Sequence, residues 1–410
     1  MDPEEIFWIC PEHVAVIGGG RWARVLLEVL CGLVPPSVSI SAHSPHNAQA
    51  MLAWASARGL GHRIRVSSDY PEATAGKSGA IIVANAAGDH EKAVEWALSS
   101  RLPVLVEKPV TLSSAATQRM ADLAISQKTY LAAAHVFLFA RYVTAFSKLV
   151  NEADGVQAIR VQWMDPRAES RYGEAKSYDP GLKIYADWLP HILSILGNFS
   201  TNSIQLGRRL EVLRGGAHLK MDVWLGDIPC DIELVRNGAS RQRLIEVVTR
   251  NGLEYLDFSK EPGTIVSAAS VRCGDPAWDS EPRPVATMLR AFLQGAAGGV
   301  CDERLDIGIG LHASRIIDQL SPSYHMALSV WLDKKCSLLD ENLDADLRYA
   351  LSEIIYVEDA RSSVPAEQRV EYVYRHLKRV IMSPLREEYE NRSVELIGLM
   401  LKQGKLASYL

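Results

Sequence analysis

The sequence predicts an N-terminal α/β domain with a doubly wound parallel sheet, then an α+β domain with an open, mostly antiparallel sheet, and a helical C-terminal extension. Three patterns along the 410 residues indicate this. Apolar runs alternate with amphipathic runs up to residue 136, period-two alternation prevails over 137–322, and helical spacing of apolar residues follows over 323–410. We therefore expect domains at 1–136, 137–322 and 323–410.

In the first domain, each predicted strand is followed by a predicted helix. The strands cover residues 13–17, 38–40, 63–66, 80–84, 104–106 and 130–134. The helices cover residues 25–30, 48–58, 90–99 and 113–126. Such alternation is typical of a parallel sheet, because parallel neighbours need a crossover connection.

The second domain shows the alternation of half-buried antiparallel strands. The predicted strands cover residues 158–163, 204–210, 220–224, 231–235 and 244–249, and the helices cover 186–196, 286–293 and 308–320. The extension carries apolar residues at helical spacing but no glycine loop or metal-ligand spacing. We expect it to pack against the body or a second subunit.

Composition excludes several classes of protein. Hydrophobic residues make up 48% and charged residues 23% of a chain with net charge −5, which is typical of a globular protein without a nucleic-acid surface. No apolar run is long enough for a membrane span, and the acidic N-terminus is unlike a signal peptide. The six cysteines form no CxxC pair, so we expect no metal site, no disulfide framework and a cytoplasmic location.

A glycine-rich turn, Gly18-Gly19-Gly20-Arg21-Trp22-Ala23, follows the first strand and fits GxGxxA. In this pattern Gly18 makes the tight turn, Gly20 lets a pyrophosphate approach the backbone, and the small Ala23 lets helix and sheet pack closely. We therefore predict a dinucleotide site that includes Trp22 and Arg21, which would lie along the pyrophosphate or the adenine edge. The alternatives are an ordinary strand-to-helix turn and, for Arg21, a solvated residue at a helix start.

The end of the second strand bears on the choice of cofactor. An NAD site would place an acidic residue there for the ribose hydroxyls, but none occurs between Glu28 and Asp69. His43, Ser44 and Asn47 can instead donate to a 2′-phosphate. The sequence therefore favours NADP(H), with NAD(H) as the alternative, although Arg21 would have to supply the guanidinium.

Further polar residues follow two other strands. Asn85 follows the strand over 80–84, with His90 beyond it, and Glu107-Lys108-Pro109 follows the strand over 104–106. Because ligands bind at the carboxyl ends of parallel strands, we predict that Asn85, His90, Glu107 and Lys108 contact the cofactor and that Lys108 is a catalytic cation. The alternatives are a loop-capping amide, a helix-start histidine and a surface lysine.

Asp187 and His191 form a candidate pair for proton transfer. Their i, i+4 spacing puts both on one helical face, although Pro190 between them suits only a first turn or a kink. A carboxylate beside a group that titrates near neutral pH can move a proton to or from a carbonyl or an amine. The alternative is an ordinary surface pair.

Together these blocks resemble the glucose-fructose oxidoreductase / inositol dehydrogenase / MocA (Gfo/Idh/MocA) family. The blocks are residues 14–23, residues 80–85 with His90, residues 104–109, and the Asp187…His191 pair. The resemblance covers roughly residues 12–322. It implies an N-terminal Rossmann domain that binds NAD(P), and an open-sheet domain that often forms homodimers or homotetramers.

The resemblance also implies roles for three residues. Lys108 would polarise the reacting oxygen or nitrogen, His191 would donate or accept the proton, and Asp187 would bind substrate or tune His191. The chain would then transfer a hydride between the nicotinamide and a C–O, C=O or C=N centre of a small-molecule or carrier-bound substrate. The motifs leave open the family's thiazolinyl imine reductase branch, which reduces a C=N bond in siderophore assembly.

The approach to Asp187 departs from the family's pattern, because its usual glycine-rich segment is reduced to Pro180-Gly181 and the loop over 165–179 is rich in arginine and tyrosine. The candidate substrate contacts here are Arg167, Arg171, Tyr172 and Tyr185. They favour an anionic or phosphorylated substrate over a simple sugar or polyol. A rival hypothesis is a non-catalytic NADP-binding sensor or scaffold, which would not need Lys108, Asp187 and His191 together.

Overall fold

A computed structural model of the chain contains the two predicted sheets. It describes residues 9–71, 79–153, 155–166, 169–171, 174–175, 182–199 and 203–336. The predicted fold class is confirmed by a six-stranded parallel sheet and an eight-stranded, mostly antiparallel sheet. Most of the predicted C-terminal extension, residues 337–410, lies outside the described residues. Within them, no helix is both long enough and apolar enough to cross a membrane.

The parallel sheet forms the N-terminal domain. Its strands are β1 (His13–Ile17), β2 (Ser39–His43), β3 (Ile64–Ser67), β4 (Gly79–Val83), β5 (Val104–Val106) and β6 (Leu131–Ala133). The connecting helices are α1 (Arg21–Leu33), α2 (Ala48–Ala57), α3 (His90–Ser99) and α4 (Ser114–Gln127). The strand order is β3-β2-β1-β4-β5-β6, so the direction of winding reverses between β1 and β4. A ligand crevice forms at such a switch point, beyond the carboxyl ends of the strands.

The second sheet is preceded by one helix and interrupted by another. The elements are α5 (Arg141–Glu152), β7 (Ala158–Pro166), β8 (Ser170–Arg171), β9 (Glu174–Ala175), α6 (Ile184–Leu196), β10 (Ile204–Leu213), β11 (His218–Leu225), β12 (Ile228–Gly238), β13 (Gln242–Thr249), β14 (Gly252–Asp257), β15 (Thr264–Val266) and β16 (Val271–Cys273). The order is β10-β11-β12-β7-β13-β14-β15-β16, and only β12 and β7 pair in parallel. Strands β8 and β9 form a separate hairpin.

Two last helices connect the domains, α7 (Pro284–Ala296) and α8 (Ile307–Cys336). Although α7 follows the second sheet in sequence, Met288, Leu289 and Phe292 are fully buried in the apolar cluster that contains Leu26 and Leu30 of α1. Helix α8 continues without interruption across the boundary predicted at residue 322. The chain therefore returns to the N-terminal domain after building the second one.

Candidate active site

A cleft of about 540 Å³ lies where the second domain faces the carboxyl edge of the parallel sheet. The glycine turn, the loop after β4 and the end of β5 line one side, and residues of β7, α6 and β12 line the other. The predicted residues Arg21, Asn85, Lys108, Asp187 and His191 all line this one cleft. The fold therefore brings together segments that are far apart in sequence.

The glycine turn leaves space for a ligand at Gly20. Gly18 has φ +148° and packs so closely on the carbonyl of Ala84 that a Cβ would overlap it. At Gly20, in contrast, a Cβ would meet nothing within 4 Å. Helix α1 then begins at Arg21 without a capping side chain, so its first backbone amides remain available to a ligand. This arrangement fits the pyrophosphate of a dinucleotide. It also fits GxGxxA, because Ala23 in the first turn of α1 is fully buried.

Trp22 connects the glycine turn to the end of β5. Its Nε1 donates a hydrogen bond of 2.6 Å to Glu107 Oε1. Burial raises the pKa of Glu107, while the bond from Trp22 and the charge of Lys108 oppose that rise. The Lys108 backbone N–H also donates to this carboxylate, at 3.3 Å. Glu107 therefore holds the turn that presents Lys108.

At the corner after β2, His43 was predicted to donate to a 2′-phosphate, but its ring is used inside the protein. Its ring nitrogens lie 2.6 Å from Asp69 O and 2.8 Å from Ser41 Oγ, so both are engaged within the protein. Burial lowers the pKa of His43. Ser44 stands directly after the strand, and its Oγ accepts from the Asn47 backbone N–H at 3.2 Å.

His90 and Asn85 brace the loop after β4. The two ring nitrogens of His90 lie 2.8 Å from Pro109 O and 3.2 Å from Asn85 O, in a buried position where desolvation lowers the pKa of His90. Asn85 Nδ2 donates to Asp89 O at 3.3 Å. Its Oδ1 is buried and has no hydrogen-bond partner among the described residues, so an acceptor is left at the cleft. His90 therefore lies between the loop after β4 and the turn that follows Lys108, on one side of the cleft.

Lys108 and Asp187 form an ion pair across the cleft. Lys108 Nζ lies 2.5 Å from Asp187 Oδ1 and 3.0 Å from Asp187 O. A second cation holds the other carboxylate oxygen, since Arg236 Nη2 donates to Oδ2 at 2.8 Å. Burial would raise the pKa of Asp187, but Lys108 and Arg236 outweigh it and hold that pKa well below its usual range. Asp187 is therefore a carboxylate shared by two cations.

His191 follows Asp187 on α6. The ring of Phe137 meets it edge-on at 4.9 Å, and Trp163 stacks beside it at 6.1 Å between ring centroids. Burial, followed by the charge of Lys108, lowers the pKa of His191 well below its ordinary value, so the imidazole is neutral near pH 7. Pro190 lies inside this helix rather than in its first turn, and the predicted pair still shares one cleft.

Of the four predicted substrate residues, the structure describes Arg171 and Tyr185. Arg167 and Tyr172 lie outside the described residues, and Arg171 is described only as part of β8. Tyr185 does not face the cleft, because its ring is buried against Tyr324 with centroids 4.8 Å apart. A tyrosine in the first turn of a buried helix packs into the core when its face of the helix is apolar.

Two buried arginines at the site were not predicted from the sequence. Arg236 is 1% exposed and Arg243 is 3% exposed, and both line the cleft. The Arg243 guanidinium pairs with Asp165 and lies 4.4 Å from the centroid of Trp163. Each arginine stands in a strand whose other residues alternate between apolar and polar, and that position could have drawn attention to it. Its partner, Asp187 or Asp165, is distant in sequence, so no local pattern identifies the pair.

Comparison with known proteins supports these features. Residues 13–135 match the model of the Gfo/Idh/MocA family, described as an oxidoreductase family with an NAD-binding Rossmann fold. The resemblance predicted from the sequence is thereby confirmed over that range. No curated protein matches the sequence.

Solved structures share the fold at low sequence identity. UDP-N-acetylglucosamine 3-dehydrogenase GnnA from Acidithiobacillus ferrooxidans is 14% identical with TM-score 0.61, and the match covers 77% of this chain and 98% of that one. A mutant of KijD10, a 3-ketoreductase from Actinomadura kijaniata in complex with TDP-benzene and NADP, is 16% identical with TM-score 0.60, covering 76% and 97%. GenD2 from gentamicin A biosynthesis, in complex with NAD, is 18% identical with TM-score 0.62, covering 79% and 97%. At these identities the likeness shows the fold.

Proposed function

We propose that this chain, an oxidoreductase whose residues 13–135 belong to the Gfo/Idh/MocA family, transfers a hydride between a nicotinamide dinucleotide and a carbon bonded to oxygen in a small molecule. One observation carries the proposal. Lys108, beside the glycine-turn site, and His191, on the second domain, line the same cleft, so a fixed cation and a neutral imidazole face one space. The nicotinamide, when bound, supplies or takes up the hydride.

Each side chain has a separate task in this reaction. Lys108, held on Asp187, would stabilise negative charge that develops on the substrate oxygen during reduction. His191 would exchange the proton with that oxygen. Because its imidazole is neutral near pH 7, His191 is ready to accept a proton from an alcohol. Phe137 and Trp163 hold the ring in place by packing.

NADP(H) is the proposed cofactor, since no carboxylate stands directly after β2. Ser44 occupies the position where an acidic side chain would accept from the ribose hydroxyls. With both nitrogens of His43 engaged internally, the proposal depends on Ser44, Asn47 and Arg21. The family resemblance also implies a homodimer or homotetramer, which stays a prediction.

A label-transfer experiment tests the reaction while the substrate is still unidentified. NADPH deuterated at C4 is incubated with the protein and a pool of small ketones, nucleotide-linked keto sugars and cyclic imines, and products are examined by mass spectrometry. We expect deuterium on a carbon that bears oxygen. Label on a carbon that bears nitrogen would establish the imine reductase alternative instead.

The Lys108→Met variant is the matched control. It should bind NADPH within a few-fold of wild type, because the glycine turn is kept, and transfer label about two orders of magnitude more slowly, because the cation at the reacting atom is lost. Equal rates for the two proteins would remove Lys108 from the reaction. Tight NADPH binding with no labelled product from any pool would favour the non-catalytic sensor.

A further inference from the structure

Arg236 is a buried cation at the edge of the candidate active site, on the far side of Asp187 from Lys108. Its guanidinium donates to Asp187 Oδ2 at 2.8 Å and to Leu182 O at 2.9 Å. The residue is 1% exposed, so water does not compete for these bonds. Leu182 shortly precedes α6, and the same guanidinium therefore fixes both the carboxylate and the chain that leads to its helix.

The geometry divides the Asp187 carboxylate between two domains. Oδ1 faces Lys108, at the end of β5 in the parallel sheet, and Oδ2 faces Arg236, at the end of β12 in the second sheet. With Oδ2 held by Arg236, the carboxylate cannot rotate away from Lys108 without breaking a buried charge-assisted hydrogen bond. Lys108 Nζ is in turn fixed by two acceptors on one residue.

The charges of Lys108, Asp187 and Arg236 determine the electric field at the reacting atom. A carboxylate paired with Lys108 alone would largely cancel the field of the ammonium at a reacting oxygen. Because Arg236 shares the Asp187 carboxylate, less of the carboxylate's charge is left to cancel the field of the Lys108 ammonium. In a site sheltered from water, the ammonium acts on nearby atoms with little screening.

We propose that Arg236 is a positioning residue, which acts through Asp187 to aim Lys108 and to preserve its charge at the reacting atom. The catalytic part of this role rests on the proposed function, whereas the effect on Lys108 itself does not. A competing role is purely architectural, because the Arg236 guanidinium also lies 5.7 Å from the ring centroid of Trp188.

The first test compares Arg236→Gln and Arg236→Lys in the full chain, using the ketone that accepts label from NADPH. We expect R236Q to bind NADPH within about three-fold of wild type and to lower kcat at least about ten-fold. We also expect the acid limb of its kcat–pH profile to move to higher pH, since Asp187 loses a cation that favours its ionised form. R236K should recover part of the rate. If R236Q does not fold, R236K is compared with wild type instead. We then expect a smaller loss of kcat, and a smaller shift of the acid limb, than those expected for R236Q.

A double-mutant cycle with Asp187→Asn separates positioning from architecture. If Arg236 acts through Asp187, R236Q should lower kcat little further in the D187N background. Additive losses, or an acid limb that stays in place in the folded Arg236 variants, would overturn the proposal.

The second test needs no turnover. The side-chain ammonium groups of ¹⁵N-lysine-labelled protein are observed by NMR, with Lys108 assigned by the loss of its signal in Lys108→Met. We expect a sharp Lys108 signal in wild type and a shifted or exchange-broadened one in R236Q. The control Arg243→Gln removes an equally buried arginine that pairs with Asp165 instead, and it should leave the signal in place.

An unchanged Lys108 signal in R236Q, or an equal change in Arg243→Gln, would contradict the positioning role. If no substrate accepts label at all, the proposed reaction fails while this measurement still decides whether Arg236 governs Lys108.

Discussion

Trp22 and Glu107 are joined by a hydrogen bond of 2.6 Å across 85 residues of sequence. The bond connects the glycine turn after β1 to the residue that precedes Lys108. Because the Glu107 carboxylate also accepts from the backbone of Lys108, the glycine turn and the turn that presents Lys108 share one buried acceptor. A change at either residue should therefore affect both binding and chemistry.

We expect Trp22→Phe to lower the free energy of unfolding by about 1–3 kcal/mol, since it removes the side-chain donor to Oε1 of a buried carboxylate. NADPH affinity should fall as well, because the glycine turn loses its attachment. Denaturant unfolding and fluorescence titration measure the two effects. Glu107→Gln is the control: it keeps an acceptor for Trp22 without the charge, and its stability should remain closer to wild type.

Gly18 and Gly20 should respond differently to a methyl group. Gly20→Ala places a Cβ in open space at φ −78°, so the melting temperature should hardly change, but NADPH should bind at least about ten-fold more weakly if a pyrophosphate occupies that space. Gly18→Ala should lower the free energy of unfolding by about 3 kcal/mol or more, because φ is +148° and the Cβ overlaps Ala84 O. Full NADPH affinity in Gly20→Ala would place the cofactor elsewhere.

Ser44→Asp should change the cofactor preference. The aspartate can still accept from the Asn47 backbone N–H, so the turn is kept, but it repels a 2′-phosphate and accepts from ribose hydroxyls. We expect the ratio of NADPH to NADH affinity to fall at least about ten-fold, measured by competitive titration. Ser44→Ala serves as the control without charge, and an equal fall there would argue against repulsion.

His135 should make stability depend on pH. It is 1% exposed, its ring nitrogens have no hydrogen-bond partner among the described residues, and burial lowers its pKa from 6.5 to about 4. The folded state therefore binds this proton less readily than the unfolded state does. The stability that His135 contributes is full above the unfolded pKa and is lost as the pH falls toward the folded pKa.

His135→Phe should remove this part of the dependence, about 2 kcal/mol between pH 7 and pH 5. Near neutral pH its stability should equal or exceed that of wild type, because a ring without polar atoms replaces unsatisfied nitrogens. Urea unfolding at both pH values measures the difference. An identical loss of stability on acidification in both proteins would assign the dependence to other groups.

The sequence predicted the parallel sheet well, because β1, β4 and β5 are short apolar runs bounded by turns. Because the carboxyl ends of parallel strands lie at the same edge of a sheet, Asn85 and Lys108 could then be placed together at that edge. Helix α5 was not predicted, although Tyr142, Val143 and Phe146 give it a buried face. That face packs on a sheet formed by later residues, so its role appears only in the folded chain.

The site was only partly predictable for a related reason. Asp187 and His191 were found because their spacing is local, but Arg236 is 49 residues from Asp187 and lies within a regular strand. A single arginine in an alternating strand predicts a side chain that faces solvent. In the folded chain β12 pairs with β7, the register shifts between Val235 and Gly238, and Arg236 lines the cleft.

The return of α7 to the first domain has a practical consequence for protein engineering. The N-terminal 136 residues lack part of their own hydrophobic core, because Met288, Leu289 and Phe292 complete the layer over α1. A fragment cut after β6 would leave that apolar layer open to water. Exchange of cofactor domains between relatives would have to carry α7 along with the Rossmann segment, as two pieces of one unit.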